Sequence, residues 1–252
     1  MKTLHSTVCV LCATIALSLL TSCGAPFSKI IDLVMTQSED LSDISPADTV
    51  YINKTKTLDA PFSRIEMTGG YDIVLVQDSI YRLDFHGRKV FYDKAKIEVM
   101  GNTLYISVKE DENELHPERF AHGKYTIYVP FIEGVEVDGA ADLKAKNFQQ
   151  TQNMKIEING AGDVEFKSSS LGNLDIEVNG SGDIELKSLL TKNIDINING
   201  AGDTEIERIN ADVINVEING AGDISASGHC KDFKSNINGG GDVDIKELNY
   251  TK

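Results

Sequence analysis

Hydrophobic residues recur along this chain with a short period throughout and a long period in its second half. From Leu58 to about Val129 apolar and polar positions alternate: Ile65 and Met67, Ile73 and Leu75, Leu83 and Phe85, Ile97 and Val99, Leu104 and Ile106, then Tyr125, Ile127 and Val129. Alternation over four to eight residues predicts half-buried β-strands. Gly69-Gly70, Gly101-Asn102 and Pro130 punctuate the runs. Gly and Pro at such places set turns.

From Val135 onward a pentapeptide returns at a fixed interval. Its copies are Asn159-Gly160-Ala161-Gly162-Asp163, Asn179-Gly180-Ser181-Gly182-Asp183, Asn199-Gly200-Ala201-Gly202-Asp203, Asn219-Gly220-Ala221-Gly222-Asp223 and Asn238-Gly239-Gly240-Gly241-Asp242. The steps are 20, 20, 20 and 19 residues, and a degenerate copy, Asp138 to Asp142, lies 21 residues before the first. The flanks repeat too: Ile156, Ile176, Ile196 and Val216 precede the box, and Val164, Ile184, Ile224 and Val243 follow it. Asn-Gly is a hairpin signal, so an antiparallel meander or propeller would accommodate the boxes. The far ends of the repeats (168–173, 188–193, 207–212) carry no tight-turn chemistry, which a meander needs there. A coil stacks each residue on its own copy. The pattern therefore predicts an all-β, right-handed parallel β-helix, a β-solenoid with rungs of about 20 residues, its hand following the bias of parallel crossovers. The boxes are expected to be structural turns. Their glycines would permit positive φ, and Asn and Asp would accept backbone N–H bonds around the corner.

The N-terminal end adds a compartment. Lys2, the apolar run Val8 to Leu20, and Leu20-Thr21-Ser22-Cys23 read as a secretory signal over residues 1–22. The last four resemble the bacterial lipobox, which implies acylation of Cys23 and a lipid anchor in the cell envelope, at the outer membrane. Residues 23–56 are polar and turn-rich apart from a helix-compatible stretch at 27–37, as expected of a tether. The domain is then 57–252, with irregular strands in 57–134 and the repeats in 135–252. The net charge of −15 becomes −16 once Lys2 leaves with the signal, which disfavours nucleic acid as a partner. Cys230 is the one cysteine left beyond Cys23, so no intrachain disulfide between thiols is expected.

Four residue groups invite a chemical reading. His116 and His122 flank Glu118 in the acidic segment 110–122, but at no metal-ligand spacing, so a solvated loop is expected. His229 and Cys230 are adjacent in a strand and should face opposite ways. The aspartate row could form a Ca²⁺ ladder, yet the nine-residue spacing of Ca²⁺-binding β-rolls is missing. The row Glu165, Glu185 and Glu205 could mimic the carboxylates of polysaccharide-active β-helix enzymes. Repetition gives such acids similar surroundings, whereas acid–base catalysis needs dissimilar ones, and Lys167 and Lys187 stand ready to neutralise them. The expectation is a non-enzyme with no catalytic residues, metal or cofactor.

The boxes "INGAGD" and "VNGSGD", preceded by "YTIYVPFIEGVEVDGAADL", resemble the putative auto-transporter adhesin head GIN domain family, common in lipoproteins of Bacteroidetes-like bacteria. The likeness runs from about Phe62 to Ile245. It implies a right-handed β-helix whose early strands join the same coil, and it brings no catalytic residue, substrate or cofactor. The functional expectation is an envelope interaction or adhesion module with a protein or glycan partner. The alternative is a structural or regulatory scaffold that self-associates through an exposed solenoid end.

Overall fold

The strands form two long sheets lying back to back, and the chain passes between them at every Asn-Gly-x-Gly-Asp box. The computed structural model describes residues 50–108 and 123–250. The signal segment, Cys23, the 27–37 stretch and the His116–Glu118–His122 segment lie outside the described residues. Six rungs follow one another in chain order, each one strand per sheet: β8 (Gly134–Ala140) with β9 (Leu143–Lys146), β10 (Met154–Ala161) with β11 (Val164–Lys167), β12 (Leu174–Ser181) with β13 (Ile184–Lys187), β14 (Asn193–Ala201) with β15 (Thr204–Asn210), β16 (Val213–Ala221) with β17 (Ile224–Cys230), and β18 (Asp232–Ile237) with β19 (Val243–Tyr250). Like pairs with like, parallel and in register: Ile156 on Ile176, Ile176 on Ile196, Ile196 on Val216. These four residues are at most 3% exposed, so the 20-residue period of the sequence becomes a vertical apolar column. The predicted β-solenoid is the fold.

The return side of the rung differs from expectation. It is a short third wall, in which Gln149, Ser170, Leu190 and Asn210 bridge in parallel. The bend into it uses left-handed backbone at Asn147, Ser168, Ser188 and Arg208, with φ of 56°, 52°, 57° and 49°. Non-glycine residues rarely adopt that conformation, and the sequence shows no glycine to announce it. The bend turns Phe148, Ser169, Leu189 and Ile209 into the core.

The early strands join the same coil but not in chain order. β2 (Arg64–Gly69) pairs parallel with both β8 and β6 (Thr103–Val108), and β3 (Tyr71–Gln77) pairs parallel with both β9 and β7 (Gly123–Val129). The later rung β6–β7 therefore lies outside the earlier rung β2–β3. Antiparallel strands then finish this end: β5 (Ala95–Met100) on β6, β4 (Arg82–Arg88) on β7, and β1 (Tyr51–Thr57) on β4. A helical turn, α1 (Lys89–Lys94), buries Phe91 there. β1 falls almost wholly in the stretch read as tether, because only its alternate residue Ile52 is apolar inside the strand. The described chain thus begins at one edge of a ten-stranded sheet whose other edge is β19. Nine spacings of about 4.8 Å put those edges roughly 43 Å apart.

Candidate functional site

Each corner is held by two ladders of side chains, one on either side of its glycines. The asparagines bond to one another: Asn179 Nδ2 donates to Asn159 Oδ1 (3.0 Å), Asn199 to Asn179 (2.9 Å), Asn219 to Asn199 (3.0 Å) and Asn238 to Asn219 (2.7 Å). Asp138 starts this ladder by accepting from Asn159 at 3.0 Å. The aspartates bond to backbone: Asp163 Oδ1 accepts the Asp183 N–H (2.9 Å), Asp183 that of Asp203, Asp203 that of Asp223, and Asp223 that of Asp242, each at 2.8 Å. The expectation of bonds around the corner is corrected in direction. Both ladders run between rungs, and only the aspartates take backbone donors.

The two glycines of a box have different jobs. The first of each box has positive φ: 147° at Gly160 and Gly180, 150° at Gly200, 154° at Gly220 and 159° at Gly239. Of the second glycines, Gly241 alone shares this, at 155°. Gly162, Gly182, Gly202 and Gly222 are instead required by close approach, since a Cβ on Gly182 would press into the carbonyl oxygen of Gly162 in the neighbouring rung. For them the constraint is backbone proximity, while the positive φ permitted by the boxes falls on the first glycine.

Two shallow grooves flank the aspartate column. One of about 910 Å³ runs along the small residues of the boxes from Ala140 to Gly222, and one of about 510 Å³ runs between the column and the glutamate row. Among the described residues no group of three or more His, Cys, Asp or Glu side chains is placed to hold a metal ion. Neighbouring carboxylates about 4.8 Å apart repel by under about 1 kcal/mol in water, and Asp142, Asp163, Asp183, Asp203 and Asp223 each have one oxygen bound to an amide, so the column does not by itself call for a cation.

The glutamate row is neutralised in place. Lys167 Nζ contacts Glu165 and lies 3.5 Å from Glu185, and Lys187 Nζ lies 2.6 Å from Glu185 and 3.4 Å from Glu205. The Lys187 hydrogen bond, aided by Lys167, holds the Glu185 carboxyl below its ordinary range, while Glu165 and Glu185 raise Lys167 and Lys187. This is an ion zipper in which each lysine bridges the glutamates of neighbouring rungs. The opposite sheet is less compensated. Glu66, Glu136, Glu157 and Glu177 form its outer column, and Lys155 reaches Glu157 at 3.2 Å and Glu177 at 3.8 Å. Desolvation, then Glu157 and Glu66, push the Glu136 carboxyl up. Cys230 is buried, which raises its thiol, while His229 is exposed, so the adjacent pair faces opposite ways.

Comparison with known proteins gives the fold a context. A "putative adhesin" of Bacteroides fragilis superposes with a TM-score of 0.61 at 18% identity, over 77% of this chain and 97% of that one. A "putative lipid binding protein" of Parabacteroides distasonis does so with a TM-score of 0.51 at 16% identity, over 81% and 98%. At such identities the likeness is one of fold. No curated protein matches the chain. The model of the family described as "Putative auto-transporter adhesin, head GIN domain" matches at residues 61–207 and again at 176–252, the two matches together covering the described rungs and most of the end strands. The chain belongs to that adhesin-head family, a class of cell-envelope or surface protein.

Proposed function

We propose that this protein is a non-catalytic adhesion module of the cell envelope, held by a lipid on Cys23 and presenting its solenoid to a protein or glycan partner. The observation that carries the reading is the uniformity of the titratable surface. Along the repeats, acids recur at matching positions of successive rungs, and Lys167 and Lys187 neutralise the row Glu165, Glu185 and Glu205, a surface suited to extended contact and poor in the unequal pairs that acid–base chemistry needs. Family membership points the same way. The direction of the fold fits an anchored module: the described chain enters at β1, so a tether through residues 23–49 would leave β18 and β19 at the far end.

Two measurements test this. Deleting the protein should reduce attachment of cells to surfaces or to one another while leaving detergent and osmotic resistance unchanged. The reverse pattern, fragile envelopes with normal attachment, would identify a structural scaffold instead. Cys23→Ala should move the protein out of the membrane fraction, and retention after a high-salt wash would overturn the anchor.

A further inference from the structure

The two ends of the stack are finished differently. At the β1 end the antiparallel strands and α1 close the coil, and two inward positions of β1 carry Lys54 and Lys56, with Lys56 Nζ donating to the Ile97 carbonyl at 2.7 Å. Inward-pointing charge is a device that stops further strands from adding. At the other end, among the described residues, β18 and β19 are both edges with no strand beyond them. Their inward positions hold Phe233, Ser235, Ile237, Val243 and Ile245, of which Ser235 and Val243 (41%) are exposed and the others are only partly covered. No inward charge protects this tip.

We propose that the tip binds the tip of a second copy of the chain, by antiparallel pairing of edge strands across a two-fold axis. The proposal rests on the adhesion reading and names a partner for it. The charge pattern selects a second copy over an arbitrary strand. Asp244 and Lys246 stand two residues apart on β19, joined by a 3.0 Å ion pair, as Asp232 and Lys234 do on β18. An antiparallel β19 pair centred on Ile245 sets Asp244 opposite Lys246 of the other copy, twice. Oppositely charged residues directly across a strand pair attract, and like charges repel. Three lysines against four acids also leave residues 231–250 nearly neutral in a chain of net charge −15, so the tip is where two copies repel least. The contact is small. Two strand edges some 20–25 Å long on sheets about 10 Å apart cover roughly 400 Å² per partner, the size of a transient interface. Many anchored copies facing one another would multiply so weak a contact.

Sedimentation equilibrium of Asp48–Lys252, one compact unit with its own core, tests this from micromolar to millimolar concentration. The mass should rise towards a dimer and stop there, because an isologous contact closes on itself. Asp244 and Lys246 are exposed, so charge changes there leave folding intact. Asp244→Lys or Lys246→Asp alone should weaken the dimer at least tenfold, and the double exchange should restore it. Tyr51→Lys at the opposite end should leave it unchanged. A chain that stays monomeric throughout, or a double exchange no better than the single ones, overturns the proposal. Growth beyond a dimer overturns it too, in favour of head-to-tail stacking. Loss of self-association with cell attachment intact would sink the tip contact and leave the adhesion reading standing.

Discussion

Gly180→Ala separates two reasons for glycine that the boxes combine. Gly180 has a φ of 147°, and a Cβ there would sit within the carbonyl group of Gly160 one rung below. That region of backbone space is nearly exclusive to glycine and costs about 1–3 kcal/mol for another residue. The clash adds an overpacking cost of about 1–3 kcal/mol, because a carbonyl bonded into the parallel ladder has little freedom to yield. Together they predict roughly 2–6 kcal/mol, which in a unit of about 200 residues lowers Tm by roughly 4–24 °C. Three further alanine variants isolate the components. Gly182 meets the clash without a positive φ, so it should cost about 1–3 kcal/mol. Gly101 has a φ of 60° with open space around it, so about 1 kcal/mol is expected. Gly240 has neither constraint, and its substitution should be neutral or stabilise by about 0.4–1 kcal/mol through the unfolded chain. Thermal and urea unfolding of the four variants rank them directly. Equal effects at Gly180 and Gly240 would refute the stacking argument.

Asn199→Ala removes two ladder bonds, and at about 1 kcal/mol net for each hydrogen bond it should cost about 1–2 kcal/mol in urea unfolding. The two sheets should respond oppositely to pH. Glu185 has a depressed carboxyl, so its ion pairs contribute stability above the ordinary value of 4.5 and lose it as pH falls through the folded value. Glu185→Gln should lower Tm at pH 7, by no more than about 1 kcal/mol of stability, and the difference should fade in acid. Glu136 is raised, so its contribution is full below 4.5 and lost as pH rises through the folded value; Glu136→Gln should raise Tm at pH 7 and be neutral in acid. Replacing millimolar Ca²⁺ by EDTA should move Tm little, with Mg²⁺ as control. A specific site at a hundredfold excess of ligand over Kd would add about 2.7 kcal/mol.

The repeats made most of the architecture legible, because a fixed period forces identical residues into one column. The interior stack of Ile156, Ile176, Ile196 and Val216, and the zipper of Glu185 with Lys167 and Lys187, followed from spacing alone. Features without a repeating signature were hidden. The left-handed bend falls on Asn147, Ser168, Ser188 and Arg208, residues with no common chemistry, because tertiary packing of the next side chain imposes it. The placement of β6–β7 outside β2–β3 depends on pairing between distant strands, which alternation cannot order. Which glycine of a box needs the positive φ was hidden for a related reason. A close approach between rungs leaves the same residue in the sequence as a positive φ does, and only the neighbouring carbonyl tells them apart.

The adhesion account is tested most directly by binding itself. Beads carrying Asp48–Lys252, attached through its N-terminal end so that the tip faces outward, should capture intact cells that display the protein or its partner. Capture should saturate and should be competed by the same domain in solution. Beads that bind no better than beads bearing an unrelated acidic protein would contradict the account, as would turnover of envelope polysaccharide by the purified domain.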